Sequence, residues 1–177
     1  MKKILILAAS SSTTSINRVL ATAAGNLIEG SERTVLDLND FEMPLYSPDR
    51  EASGGVPDTA QRFVAHIEAS DAVILSLAEH NGSYSAAFKN VLDWSSRHKQ
   101  KLWSEKPMLL LSTSPGARGG ATVMAAAQQT FPHLGAAIKA SFSLPSYYDN
   151  FSEADGVTDP VLQSQFKAVV AQLVAGL

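Results

Sequence analysis

The sequence predicts an α/β fold in which helices cover both faces of a doubly wound sheet of five parallel strands. Short, continuously apolar runs recur along the chain, as is typical of strands buried on both faces of a parallel sheet. Segments with the apolar period of an α-helix separate these runs, and strict alternation favours right-handed crossovers around one sheet. Because 177 residues suit one domain with a substantial core, we expect residues 1–177 to form a single domain.

The strands are predicted from two kinds of pattern. Apolar runs place four of them at residues 4–9, 72–78, 108–112 and 136–144. A further segment, residues 33–38, alternates polar and apolar side chains and is expected at the periphery of the sheet. A sheet of only five strands favours the order 2-1-3-4-5 over the six-stranded order of dinucleotide-binding domains.

Helices are predicted after each strand from apolar side chains spaced three and four residues apart. The first presents Ile16, Val19, Leu20, Ala23 and Leu27 on one face, with Gly30 placed to end it. The others follow Pro57 (Ala60, Phe63, Val64, Ile67), span 86–98 and 121–129, and begin at Asp159 and Pro160 (Leu162, Phe166, Val169, Val170, Leu173). Residues 39–56 are predicted to form an irregular loop on the surface.

Composition excludes several classes of function. The net charge of −3 gives no general attraction to nucleic acid or to an anionic membrane. The chain has no cysteine, which removes disulfides, thiolate metal sites and cysteine nucleophiles and fits a reducing compartment. The first apolar run is too short for a signal peptide, and no run reaches the ~18 residues of a membrane helix. We expect a cytoplasmic protein without a metal site.

Any ligand site should lie beyond the carboxyl ends of the strands, where the strand order reverses. The loop after the first strand, residues 9–18, is filled with serine and threonine and leads into a helix N-terminus. Free backbone N–H groups and the helix dipole favour a phosphate there. The alternative is a plain capping loop, since serine and threonine are common N-caps.

The loops after the third and fourth strands are also distinctive. Residues 77–84 form a polar, glycine-containing turn that can present backbone groups to a flat heterocycle. His80 lies in this turn without a visible partner, so a surface or structural role is favoured over proton transfer. In residues 112–120, Pro115, Gly116, Gly119 and Gly120 allow close backbone approach to a ligand, although a flexible turn is the alternative.

These loops resemble the NADPH-dependent FMN reductase family, the flavodoxin-like group of flavin, quinone, azo-dye and chromate reductases. The family's first motif, G-S-x-R-x-x-S-x-N, is matched by Ala9, Ser10, Ser12, Ser15 and Asn17. Its second, P-E-Y-N followed by K-N-x-x-D-W, is matched by Ala78, Glu79, His80, Asn81, Ser83, Lys89, Asn90, Asp93 and Trp94. Its third, S-P-G-x-x-G-G, is intact at Ser114, Pro115, Gly116, Gly119 and Gly120. The block 89–94 is the most specific part.

The resemblance implies a flavodoxin-like fold and an FMN-dependent reductase that takes hydride from NADPH or NADH and passes electrons to a flavin, quinone or similar acceptor. No catalytic acid, base or nucleophile is required. The first loop would hold the phosphate, with the Asn17 side chain as one partner, and the other loops would hold the ring. The implied cofactor contacts are Ser10, Ser12, Ser15, Ile16, Asn17, Ala78, Glu79, His80, Asn81, Ser83, Ser114, Gly116 and Gly119. A homodimer or dimer of dimers is implied. Trp94 is expected in a core or a subunit interface, and Trp94 and Trp103 are expected to offer large apolar surfaces to a partner.

Three positions depart from the family pattern. Ser12 replaces the loop arginine and removes a charge that would assist the phosphate. Ala78 replaces a proline, so the turn is less constrained, and His80 replaces a tyrosine beside the ring. Two alternatives stay open: an electron carrier of the flavodoxin type, and a family member with weak or no flavin binding.

Overall fold

The predicted strands form one parallel sheet. A computed structural model describes residues 1–177. The strands are β1 (Lys2–Ala8), β2 (Ser31–Leu36), β3 (Ala72–Leu77), β4 (Pro107–Thr113) and β5 (Ala137–Leu144). All neighbours pair in parallel, in the order β2-β1-β3-β4-β5. The prediction of a doubly wound sheet with the order 2-1-3-4-5 is confirmed.

Burial along the strands follows their position in the sheet. Every residue of the central strand β3 is buried, whereas β2 is exposed over most of its length. A strand covered by helices on both faces has no exposed side for polar residues, so its sequence is continuously apolar. The alternating pattern of β2 reflects its place at the edge, as predicted.

Helices pack on both faces of the sheet. They are α1 (Ile16–Asn26), α2 (Pro48–Gly54), α3 (Asp58–Glu68), α4 (Ala86–His98), α5 (Ala121–Thr130) and α6 (Pro160–Ala175). Side chains of α1 and α6 form one core with the sheet, and those of α3, α4 and α5 form the other. Asp159 caps α6 by accepting the N–H of Leu162, as predicted. No helix is both long and apolar enough to cross a bilayer.

The buried face of α1 differs from the prediction. Val19 and Leu27 are 36% and 43% exposed, and the helix ends before Leu27. The sheet is faced by small residues such as Ala24 and Gly25. A Cβ at Gly25 would lie only 2.4 Å from Ile6 Cδ1, so the backbone of α1 lies very close to the sheet at this residue. Of the larger predicted side chains, Leu20 is buried together with these small residues, whereas Val19 and Leu27 lie outside the packed face.

Residues 39–56 are more regular than predicted. A 3-10 turn at Leu38–Phe41 and helix α2 occupy much of the segment. The Asn90 side chain on α4 donates to the carbonyls of Met43 and Pro44. These bonds hold the segment across α4 over one end of the sheet.

Trp94 and Trp103 offer no apolar surface to a partner in this structure, and of the two environments expected for Trp94 the buried one is observed. Their exposed fractions are 2% and 0%. Trp94 donates its indole N–H to the Pro44 carbonyl at 2.7 Å and packs edge-on against Tyr46. Trp103 packs against Phe131 inside the core. Both rings are covered by segments distant in sequence, which local patterns do not reveal.

Candidate functional site

Loops at the carboxyl edge of the sheet enclose a cavity of about 260 Å³. The loops after β1, β3 and β4 contribute, as predicted, and so does the corner after β5. The lining residues are Ser10, Ser12, Thr14, Ser15, Ile16, Asn17, Ala78, Glu79, His80, Thr113, Ser114, Pro115 and Tyr148. The structure therefore brings all five candidates of the first loop together with Ala78, Glu79, His80 and Ser114.

Four candidates lie outside this cavity. Asn81 and Ser83 are exposed in the turn after β3, Gly116 is exposed in the loop after β4, and Gly119 is buried beneath that loop. Four lining residues were not predicted, namely Thr14, Thr113, Pro115 and Tyr148. Three of these extend loops already identified, whereas Tyr148 belongs to a different segment.

Hydroxyl groups fold the first loop onto itself. Ser10 Oγ accepts the N–H of Ser12 at 3.2 Å, and Ser12 Oγ accepts the N–H of Thr14 at 3.3 Å. Ser15 Oγ caps α1 by accepting the N–H of Arg18 at 3.2 Å. These hydroxyls satisfy backbone donors within the loop, so hydrogen bonds of the protein itself hold the loop in this conformation without a ligand.

The first turn of α1 presents unpaired donors to the cavity. The backbone N–H groups of Ile16 and Asn17 have no acceptor in the protein. The first N–H groups of a helix lack intrahelical partners, and they carry the positive end of the helix dipole. The residues present therefore fit a phosphate group, which accepts such N–H groups at helix N-termini.

The Asn17 side chain, which is expected to bond the phosphate, bonds the two central strands in this structure. It is buried, and its amide donates to the Thr113 carbonyl at 3.2 Å. Its carbonyl oxygen accepts the N–H of Thr113 at 3.1 Å and the hydroxyl of Ser76 at 2.7 Å. Its oxygen and one of its two amide N–H groups are therefore used by β3 and β4, and its backbone N–H has no acceptor in the protein.

No lysine or arginine lines the cavity. Arg18, the one cation of the first loop, donates to the Thr13 carbonyl and pairs with Asp37 at 2.9 Å. The pKa of Asp37 is lowered, chiefly by the backbone N–H of Asn39 and further by Arg18. An anion in the cavity would therefore be held by N–H and hydroxyl donors.

The loop after β3 is a tight antiparallel hairpin. Glu79–His80 pairs with Ser83–Tyr84, and Asn81 and Gly82 at its tip have φ of 51° and 73°. Two successive residues with positive φ are what a type I′ turn requires, and Asn-Gly is its usual sequence. The sequence contained this signal, although only a general turn was predicted. His80 is exposed and its side chain makes no hydrogen bond or ion pair.

Glu79 joins this hairpin to α5. Its Oε2 accepts the N–H of Val123 at 2.8 Å. Gly120, at the N-cap of α5, has φ of 78° and no side chain to supply that acceptor. The carboxylate therefore caps a helix from a neighbouring loop, and it fixes the hairpin relative to the loop after β4.

The glycines after β4 shape the loop rather than line the cavity. Gly119 has φ of 57°, and a Cβ there would lie 2.7 Å from the carbonyl oxygen of Leu144. The Gly116 carbonyl accepts the N–H groups of Gly119 and Ser146. Glycine is needed at 119 because both the backbone conformation and the available space exclude a side chain.

Tyr148 enters the cavity from the corner after β5. Ser146 adopts a left-handed conformation (φ 44°, ψ 62°), and the N–H of Tyr147 donates to the Ser114 carbonyl at 3.0 Å. Tyr147 is buried and stacked on Phe151, whereas Tyr148 is 72% exposed. The adjacent tyrosines at the carboxyl end of a fifth strand were the signal that sequence reasoning passed over.

Comparisons with known proteins agree over most of the chain. The model of a family described as NADPH-dependent FMN reductase matches residues 2–149. A quinone reductase from Pseudomonas putida is 38% identical over 122 residues, which are 68% of this chain and 64% of that protein. This match spans less than two thirds of the relative's length. An NADPH:quinone oxidoreductase from Arabidopsis thaliana is 29% identical over 180 positions, covering 98% of this chain and 90% of the relative.

A solved structure is similar over nearly the whole chain. It is a flavoenzyme NAD(P)H:(acceptor) oxidoreductase from Paracoccus denitrificans, with a TM-score of 0.76 and 29% sequence identity. The alignment covers 99% of this chain and 98% of that protein. The similarity therefore includes the carboxyl edge of the sheet and the corner after β5.

Proposed function

The chain belongs to the NADPH-dependent FMN reductase family, and from this premise we propose that residues 1–177 form a single FMN-binding domain with reductase activity. The enzyme oxidises NADPH or NADH and reduces a small acceptor such as a flavin or a quinone. The observation that carries the proposal is the pair of unpaired N–H groups, at Ile16 and Asn17, that faces a hydroxyl-lined cavity at the carboxyl edge of the sheet.

The cavity suits the phosphate end of FMN. The donors of α1 and the surrounding hydroxyls are neutral and already oriented, so they bind an anion with little reorganisation. The hairpin after β3 and the loop after β4 flank the cavity and offer backbone groups toward the ring. Glu79 fixes these two loops to each other through α5, which holds the ring-binding side in place.

FMN held in this cavity would supply the redox chemistry, namely acceptance of hydride from the nicotinamide and transfer of electrons to the acceptor. The chain's own work is to anchor the phosphate, orient the ring and leave one face open for stacking. His80 is exposed and unpartnered, so its role is to pack beside the ring, without a proton-transfer step assigned to it. No acid–base pair is needed for this chemistry.

A proline substitution tests the phosphate anchor directly. Ile16 occupies the first position of α1, where proline is tolerated, and the preceding Ser15 is already extended (φ −60°, ψ 116°). Ile16→Pro therefore removes one N–H without breaking the helix. We expect FMN affinity to fall by about tenfold or more, as for a lost charge-assisted hydrogen bond, and riboflavin affinity to stay unchanged.

The matched control is Ala86→Pro, at the first position of α4 behind an equally extended Ser85 (φ −60°, ψ 145°). Ala86 does not line the cavity, so this variant should bind both ligands normally. If the wild-type protein shows neither a thermal shift nor a fluorescence change with tens of micromolar FMN, the proposed function fails. Flavin binding without NAD(P)H oxidation would instead indicate an electron carrier.

We further propose that the protein is a homodimer or dimer of dimers, located in the cytoplasm, without nucleic acid partners. With both tryptophans buried, the assembly rests on the family resemblance and on the apolar surface around Leu45, which is 67% exposed. Leu45 borders a separate cavity of about 340 Å³ between residues 38–45 and α4. The cytoplasmic assignment rests on the cysteine-free sequence. Light scattering that reports a monomer at micromolar concentration, with FMN present, would contradict the assembly.

A further inference from the structure

We propose that Tyr148 is an anion-contact residue whose phenolic O–H donates to the phosphate in the cavity. This proposal rests on the proposed function, because FMN is the phosphate ligand considered. Three independent features of the structure lead to it: a free phenol, a fixed backbone and a cavity without cations.

The phenol of Tyr148 is available to a ligand. The Tyr46 hydroxyl donates to Glu51 at 2.9 Å, and the Tyr84 hydroxyl lies 3.1 Å from that of Thr130. Tyr148 lines the cavity, yet its hydroxyl makes no hydrogen bond within the protein. Its exposure of 72% leaves most of the residue accessible.

The backbone that carries Tyr148 is held against the cavity. The N–H groups of Ser146 and Tyr147 donate to carbonyls of the loop after β4, each at 3.0 Å. The Asn150 side chain donates to the Pro145 carbonyl at 2.9 Å and closes the corner from the other side. Tyr147 packs edge-on against the Tyr148 ring, with centroids 5.4 Å apart. Binding would therefore order only one side chain, which keeps the entropic cost of the contact low.

The cavity lacks a cationic side chain, so a further hydrogen-bond donor would strengthen the binding of an anion there. Ser12 uses its Oγ to accept the N–H of Thr14. No lysine or arginine lines the cavity, and Arg18 is paired with Asp37. A hydrogen bond from a neutral hydroxyl to an ionised phosphate is about twice as strong as one between neutral groups. The Tyr148 hydroxyl can supply such a donor.

The test compares phenylalanine and alanine at position 148 by the dissociation constants of FMN and riboflavin, measured by flavin fluorescence. Tyr148→Phe removes the hydroxyl and keeps the ring, so we expect about tenfold weaker FMN binding and unchanged riboflavin binding. Tyr46→Phe is the matched control, because that hydroxyl bonds Glu51 away from the cavity, and it should bind FMN normally.

Two results would overturn the proposal. The first is that Tyr148→Phe binds FMN as tightly as the wild type, which would show that the hydroxyl makes no contact. Alternatively, Tyr148→Ala weakens both flavins equally while Tyr148→Phe weakens neither, which would assign the ring a stacking role. Either result leaves the proposed function standing, since that function fails only when the wild-type protein does not bind FMN.

Discussion

Replacing Asn17 with alanine tests how the site is attached to the sheet. Thr113 lies one residue beyond the last residue of β4 that pairs with β3. The Asn17 amide takes over at this point, accepting the Thr113 N–H and donating to the Thr113 carbonyl, as a neighbouring strand would. Ser76 on β3 donates to the same side chain. The side chain therefore connects α1 to both central strands.

The expected loss follows from what alanine leaves behind. Asn17 is 3% exposed, so water does not replace its three hydrogen bonds. Each buried polar group left without a partner costs about 1–3 kcal/mol. The Ser76 hydroxyl can rotate to another acceptor, so the two backbone groups of Thr113 dominate. We expect the free energy of unfolding to fall by about 2–6 kcal/mol, a large share of the 5–15 kcal/mol typical of a domain.

Urea unfolding of the ligand-free protein, followed by tryptophan fluorescence, measures this loss because both tryptophans are buried. Asn39→Ala is the control: that exposed side chain donates to the Ser11 carbonyl at 3.1 Å and should cost at most about 1 kcal/mol. The reasoning is refuted if Asn17→Ala costs no more than the control. Unchanged stability with a selective loss of FMN affinity would restore the side chain as a phosphate partner.

Further substitutions test other parts of the scaffold. Glu79→Ala removes the cap of α5 and should cost about 1–2 kcal/mol in urea unfolding, whereas Glu79→Gln, which keeps an acceptor, should cost less. Gly119→Ala should lower stability by at least about 1–2 kcal/mol from its positive φ alone, with a steric clash added; wild-type stability would contradict this. The pKa of Asp71 is lowered, chiefly by a backbone N–H at the start of β1, so its contribution is present at neutral pH and lost as pH falls through the folded-state pKa. When the pH falls from 7 to about 3, which is below the ordinary pKa of aspartate, the melting temperature of Asp71→Asn should therefore fall less than that of the wild type. His80→Ala should lower kcat by roughly tenfold or less, below the 100-fold expected for a proton-transfer residue; a loss of thousands with FMN bound would make it catalytic.

The elements of the fold were predictable because their signals are local. A strand buried on both faces admits only apolar residues, and a helix on the sheet repeats its apolar face every three to four residues. These rules placed the five sheet strands and the main helices, and alternation along the chain then restricted the strand order. The edge position of β2 was also predictable, since its alternating side chains fit exposure on one side.

The details of packing were harder to predict from the sequence. Val19 and Leu27 satisfied the period of α1, yet both lie outside the face that packs on the sheet. Trp94 and Trp103 looked like surface for a partner, and each proved to be covered by residues from another part of the chain. Periodicity reports that a face is apolar but not which neighbour covers it.

The candidate site divides in the same way. The sequence by itself determined three loops at the carboxyl edge, their donor-rich character and the family they resemble. Only the tertiary structure decided that the Asn17 side chain bonds Thr113 of β4, that the Glu79 carboxylate caps α5, and that Tyr148 lines the cavity from a fourth segment. Backbone conformation depends on neighbours along the chain, so sequence reports it. The partner of a side chain depends on elements that meet only after folding: Asn17 and Thr113 are 96 residues apart.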